Sequence, residues 1–94
     1  MNIMEFRVLT YFLAVAREEN ISRAAEALCI TQPTLSRQLA ELEDELGIKL
    51  LERGKRKTVL TDAGRLLRQR AEEITALTER TQQEFPADWG CDCR

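Results

Sequence analysis

Apolar positions along the chain form four helical stripes, interrupted once by a short alternating stretch. Phe6, Leu9, Phe12, Leu13 and Ala16 recur at helical spacing and predict an amphipathic first helix from about Met4 to Glu19. Asn20 and Ile21 break it. Ser22 is placed to cap a short second helix, Arg23 to about Leu28, which turns Ala24, Ala25 and Leu28 inward. Small side chains there let a neighbouring helix approach closely, as a helix–turn–helix crossing requires. Cys29 and Ile30 occupy the turn, with Cys29 expected as a small buried hydrophobe. Leu35, Leu39, Leu42 and Leu46 mark a third helix, capped by Thr31, with Pro33 in its first turn and Gly47 at its end. Alternation over Ile48–Glu52 and Thr58–Leu60 then predicts two short strands, joined by a tip of Arg53, Gly54, Lys55, Arg56 and Lys57. Thr61 and Asp62 open a last helix running to about Gln83, with Leu67, Ala71, Ile74 and Leu77 in a narrow stripe. That stripe fits two uses, a seam with a second copy of the chain and a face packed on the first helix.

The polar positions of the third helix are its most informative feature. Its apolar stripe leaves Gln32, Thr34, Ser36, Arg37 and Gln38 on the outward surfaces, whereas carboxylates enter only from Glu41 onward. Short hydrogen-bonding side chains plus one arginine are the types that read base edges and phosphates. A hairpin following such a helix is a wing, and a basic tip suits backbone phosphates or a minor groove; a tip made basic for solubility alone would look the same in isolation.

Charge supports the nucleic-acid reading once it is divided along the chain. The net charge is −2, but residues 49–70 hold eight basic side chains against Glu52 and Asp62. The remainder holds six basic and fourteen acidic residues. Phosphates respond to the potential within a Debye length, about 8 Å at physiological salt, so this segregation outweighs the sum.

Ninety-four residues with 44% apolar content make one small globular unit, or one with an appendage. No apolar run approaches the ~20 residues that span a bilayer, and the start of the chain lacks a signal-peptide pattern. Three cysteines, two of them in the last four residues, build no disulfide framework, so a reducing cytoplasm is expected. The chain has no histidine, and no nucleophile–base pair, phosphate-binding glycine loop or ligand cluster stands out. No enzyme activity, cofactor or metal is therefore expected. Cys91 and Cys93 have no third ligand, and the tail from Phe85 to Arg94, Trp89 included, reads as a disordered or artificially appended end. A protein-interaction module would instead need an apolar outer face on the third helix, and for an enzyme's accessory domain the chain offers no nucleophile–base pair, phosphate-binding glycine loop or ligand cluster.

In combination these segments resemble the N-terminal DNA-binding domain of a LysR-type transcriptional regulator over about residues 4–83. The resemblance is carried by Phe12–Ala16 and Ser22–Leu28 in the first two helices. It continues through Thr31–Leu39, Leu42–Gly47, Leu51–Arg53 and Leu60–Gly64. It implies a mainly α fold: a winged helix–turn–helix over residues 1–60, a linker and dimerisation helix over 61–84, and a tail over 85–94. It also implies sequence-specific binding of interrupted palindromes in double-stranded DNA by a bacterial, nucleoid-associated homodimer, tetrameric at full length. The contacts it implies are Gln32, Pro33, Thr34, Ser36 and Arg37, with Arg53, Lys55, Arg56 and Lys57 in the wing; Ser22, Arg23, Thr31 and Gln38 complete the candidate set. Leu67, Ala71, Ile74 and Leu77 are the candidate dimer seam. Leu51 stands where the family usually has phenylalanine, and the wing-tip glycine is shifted. The larger effector-binding region of such regulators lies outside these residues, so no small-molecule ligand is expected for this chain.

Overall fold

A computed structural model describes residues 5–85; Met4 and the tail from Pro86 onward, with the expectations placed on them, lie outside the described residues. Helices α1 (Phe6–Glu18), α2 (Ile21–Leu28) and α3 (Gln32–Leu46) come first. A two-stranded hairpin follows, β1 (Leu51–Arg53) and β2 (Thr58–Leu60), and then the long helix α4 (Asp62–Gln83). This is a three-helix core with a wing and an outgoing helix.

Helix ends are set by local chemistry. Glu19 closes α1 in the left-handed conformation (φ 56°), its N–H bonded to the Val15 carbonyl. Asn20, rather than Ser22, then caps α2: its Oδ1 accepts from the Arg23 N–H at 2.9 Å. The capping side chain thus stands two residues earlier than expected, and α2 begins at Ile21, which is buried. At the other end of α2, Cys29 adopts φ 61° while Ile30 N–H reaches the Ala25 carbonyl, a Schellman closure. This geometry lifts Cys29 to the surface, so the expectation of a buried thiol is corrected. Thr31 caps α3 and Gly47 (φ 72°) ends it, as the sequence predicts.

The core is centred on α1, which touches α2, α3, α4 and β2. Surrounded on several sides, it buries more than one stripe: Val8, Ala14 and Val15 are inside with Leu9 and Phe12. Leu13 and Ala16 are half-buried, and Phe6, in the first turn, is exposed. Leu35, Leu39 and Leu42 carry α3 into this core, while Leu46 lies on its overhanging last turn and is exposed.

The first strand is shorter than the alternation suggests. The Leu50 and Leu51 N–H groups both donate to Glu43 Oε2, at 2.8 and 3.0 Å. A carboxylate from α3 thereby takes backbone donors that a longer strand would have paired, and Ile48 is left exposed. The strands pair antiparallel with Leu51 opposite Leu60 and Arg53 opposite Thr58. Alternation turns Leu51, Arg53, Thr58 and Leu60 toward the helices and Glu52 and Val59 outward. Gly54 makes the turn by allowing close approach: its N–H donates to the Lys57 carbonyl at 2.8 Å, and a Cβ would sit 2.9 Å from that oxygen.

Thr61 caps α4 by accepting from the Gly64 N–H. Half-buried Leu67 and fully buried Ala71 dock the first half of α4 on the core, whereas Ile74 (43% exposed) and Leu77 (55% exposed) stand clear of it. The four-residue stripe is therefore divided: its first two members are used within the chain.

Candidate nucleic-acid interface

Three elements bring the candidate residues to one side of the molecule. The α2 and α3 helix starts lie side by side because the turn between them is closed by the Cys29 and Thr31 geometry. The wing is pulled against them by a backbone bond from the Thr58 N–H to the Glu19 carbonyl, 2.9 Å. Between these elements lies a cleft of about 370 Å³, walled by Asn20, Ser22 and Gln32 on one side and the wing from Arg53 to Thr58 on the other.

Within this arrangement several of the candidate side chains are already paired with one another. Ser22 Oγ donates to Gln32 Oε1 at 2.8 Å, joining α2 to α3. Arg53, turned toward the helices by strand alternation, donates from Nη2 to Ser36 Oγ at 3.3 Å, joining the wing to α3. Thr31 donates its hydroxyl proton to Thr34 Oγ1 at 2.8 Å and accepts the Thr34 N–H, so both threonines are held at the helix start.

The cations divide into two kinds. Lys57 pairs with Glu19 at 3.6 Å across an exposed contact, which turns this tip residue back toward the α1–α2 turn. Arg23, Arg37, Lys55 and Arg56 are exposed and have no ion-pair partner among the described residues. Unpaired surface cations are free to neutralise phosphates and release counterions. Pro33 is exposed in the first turn of α3. Gln38 behaves differently from its neighbours. Its Oε1 is buried and has no hydrogen-bond partner among the described residues, so this oxygen is withdrawn from the outer surface.

Sequence reasoning missed two participants, Glu19 and Asn20. Asn20 immediately before an apolar-periodic segment is an N-cap signal, and it was available in the sequence. The Glu19 contacts arise only when the wing folds back on the first turn, and no local pattern announces them. Among the described residues no helix is long and apolar enough to cross a membrane, and no group of three or more metal-ligating side chains occurs.

The geometry agrees with what the chain is similar to. The DNA-binding transcriptional dual regulator OxyR of Escherichia coli is 44% identical over 85 residues, covering 86% of this chain and 28% of that protein. The HTH-type transcriptional regulator BenM of Acinetobacter baylyi is 45% identical over 84 residues, covering 82% of this chain and 28% of its own length. The chain thus spans little more than a quarter of either relative. Among solved structures, the BenM DNA-binding domain in complex with catB site 1 DNA superposes with a TM-score of 0.83 at 44% identity, covering 86% of this chain and 90% of that one. The CbnR DNA-binding domain in its DNA complex gives 0.81 at 43% identity, covering 86% of this chain and 93% of that one. Residues 6–65 match the family described as bacterial regulatory helix-turn-helix protein, lysR family, and the chain belongs to it.

Proposed function

We infer that this chain is the sequence-specific DNA-binding part of a cytoplasmic, bacterial transcriptional regulator, with double-stranded DNA as its partner. The start of α3 enters the major groove, where Gln32, Thr34 and Ser36 meet base edges or adjacent phosphates and Arg37 clamps the backbone or a guanine. Arg53, Lys55, Arg56 and Lys57 set the wing against phosphates or in the neighbouring minor groove. One observation carries the reading. The α2 start, the α3 start and the wing converge on one polar cleft, while Arg37, Lys55 and Arg56 have no ion-pair partner among the described residues.

The outer half of α4 joins two copies through Ile74 and Leu77, so that two recognition helices meet an interrupted palindrome together; the whole regulator assembles further into a tetramer. The contribution of Leu67 and Ala71 to that seam is indirect, through anchoring α4 to its own core. The role is regulatory rather than enzymatic, which fits relatives that are transcriptional regulators. Gel-shift titration against random and selected duplexes over a salt series tests the reading. Specific complexes should outlast non-specific ones as salt rises. Equal affinity for all duplexes at every salt concentration would overturn it.

A further inference from the structure

We propose that Ser22 is a positioning residue that fixes the carboxamide of Gln32 and so decides which base atoms Gln32 reads; this rests on the reading of α3 as the major-groove helix. Gln32 is the exposed first residue of α3. A glutamine amide offers an acceptor oxygen and two donor protons, and a freely turning one pairs both ends with adenine, accepting from N6 and donating to N7. Here the acceptor end is engaged. Gln32 Oε1 takes the Ser22 hydroxyl proton at 2.8 Å, while Nε2 has no partner among the described residues.

Both ends of that bond rest on immobilised backbone. Ser22 follows the buried Ile21 in a helix start held by Asn20, which accepts the Arg23 N–H through its side chain and the Ala24 N–H through its carbonyl. Gln32 follows Thr31, the cap that holds α3 through Thr34. The bond therefore ties two rigid helix starts, and the side chain loses rotamers before DNA arrives rather than on binding. With its oxygen turned to α2, the amide presents donors alone. Donors alone complement guanine O6 and N7 or thymine O4, and they leave the N6 amino group of adenine without an acceptor. Ser22 thus acts through Gln32, setting specificity from a position that itself reads no base.

The test is selection of bound duplexes from a random pool by the 94-residue chain. The base pair beneath Gln32 is the one whose preference Gln32→Ala abolishes. Guanine or thymine is expected there. Ser22→Ala should admit adenine at that pair, shrinking discrimination roughly two- to tenfold, the size of one net hydrogen bond. Ser22→Thr should restore the preference and Ser22→Val, of the same shape without a hydroxyl, should not; this pair decides the matter if Ser22→Ala fails to fold. In a Gln32→Ala background, Ser22→Ala should add nothing. The proposal is overturned if adenine is already preferred, if Thr and Val behave alike, or if Ser22→Ala weakens all duplexes equally, the mark of a direct phosphate contact. If Gln32→Ala changes no preference at any position, it is the base-reading role of α3 that fails instead.

Discussion

Replacing Gly64 by alanine should destabilise the domain, although general helix chemistry predicts the reverse. Gly64 lies in the first turn of α4, where exchanging glycine for alanine ordinarily gains about 0.5–1 kcal/mol. In this fold the glycine faces the backbone of residue 50. A Cβ built there would stand 2.2 Å from the Leu50 carbonyl oxygen and 3.2 Å from the Leu60 Cβ. Relief requires a displacement of about 1 Å, and neither partner is free to move. The Leu50 carbonyl accepts the Thr61 N–H at 3.0 Å, the Leu50 N–H is held by Glu43, and the Leu50 side chain is buried. Overpacking costs about 1–3 kcal/mol and loss of the Thr61 bond about 1 more. After the propensity gain is subtracted, the net loss is on the order of 2 kcal/mol. A domain of this size has roughly 4–12 kcal/mol in total, and each kcal/mol moves its midpoint about 4–8 °C. Thermal unfolding followed by circular dichroism should therefore show Tm falling by about 8–16 °C. An unchanged or raised Tm would refute the argument and show that the wing yields to α4 at little cost.

Three further outcomes follow from the same geometry. Cys29→Gly should stabilise and Gly47→Ala should destabilise, each by about 1 kcal/mol, because both positions are left-handed and only glycine holds that conformation without strain; urea midpoints moving in the same direction would contradict this. Neutralising the unpaired Lys55 and Arg56 together should lower the log–log salt slope of DNA binding by up to about 2, and neutralising the Glu19-paired Lys57 should lower it by less; equal effects per residue would remove the distinction. Ile74→Glu should leave the fold intact, since Ile74 is 43% exposed, yet convert dimer to monomer in sedimentation at micromolar concentration; an undisturbed dimer would place the seam elsewhere.

The features legible in the sequence are those decided within one helical turn. Thr31, Thr61 and Gly47 act on groups three or four residues away, so their roles follow from spacing alone. The cap of α2 was missed because Asn20 and Ser22 both qualify chemically, and burial of Ile21 selects the earlier one. Cys29 was misplaced because hydrophobicity says nothing of a left-handed turn. The α1 stripe was too narrow because a single amphipathic face presumes one neighbour, and this helix has several. Nothing in the run of carboxylates at Glu41, Glu43, Asp44 and Glu45 singles out Glu43, yet it organises the backbone seven and eight residues on. The same division runs through the interface. The candidate positions on α3 stand out as polar gaps beside a leucine stripe, but the Ser22–Gln32 and Arg53–Ser36 bonds exist only because three elements pack together.

Beyond Ala71 no residue of α4 is buried, so Glu72 to Gln83 form a beam about 18 Å long standing off the domain. Its stiffness is that of a helix whose Thr75, Thr78 and Thr81 hydroxyls each bond the carbonyl four residues back, which biases its curvature rather than breaking it. A tilt of about 10° at the Leu67–Ala71 root carries Leu77, about 9 Å out, through about 1.5 Å, so that two copies together shift by about 3 Å, close to the 3.4 Å advance of one nucleotide along a strand. Where two such beams are joined through Ile74 and Leu77, hinge compliance at the two roots becomes tolerance in operator spacing of about one base pair. The span between half-sites is then tuned by how Leu67 and Ala71 seat on the core, in the interior of the protein and away from every residue proposed to touch DNA.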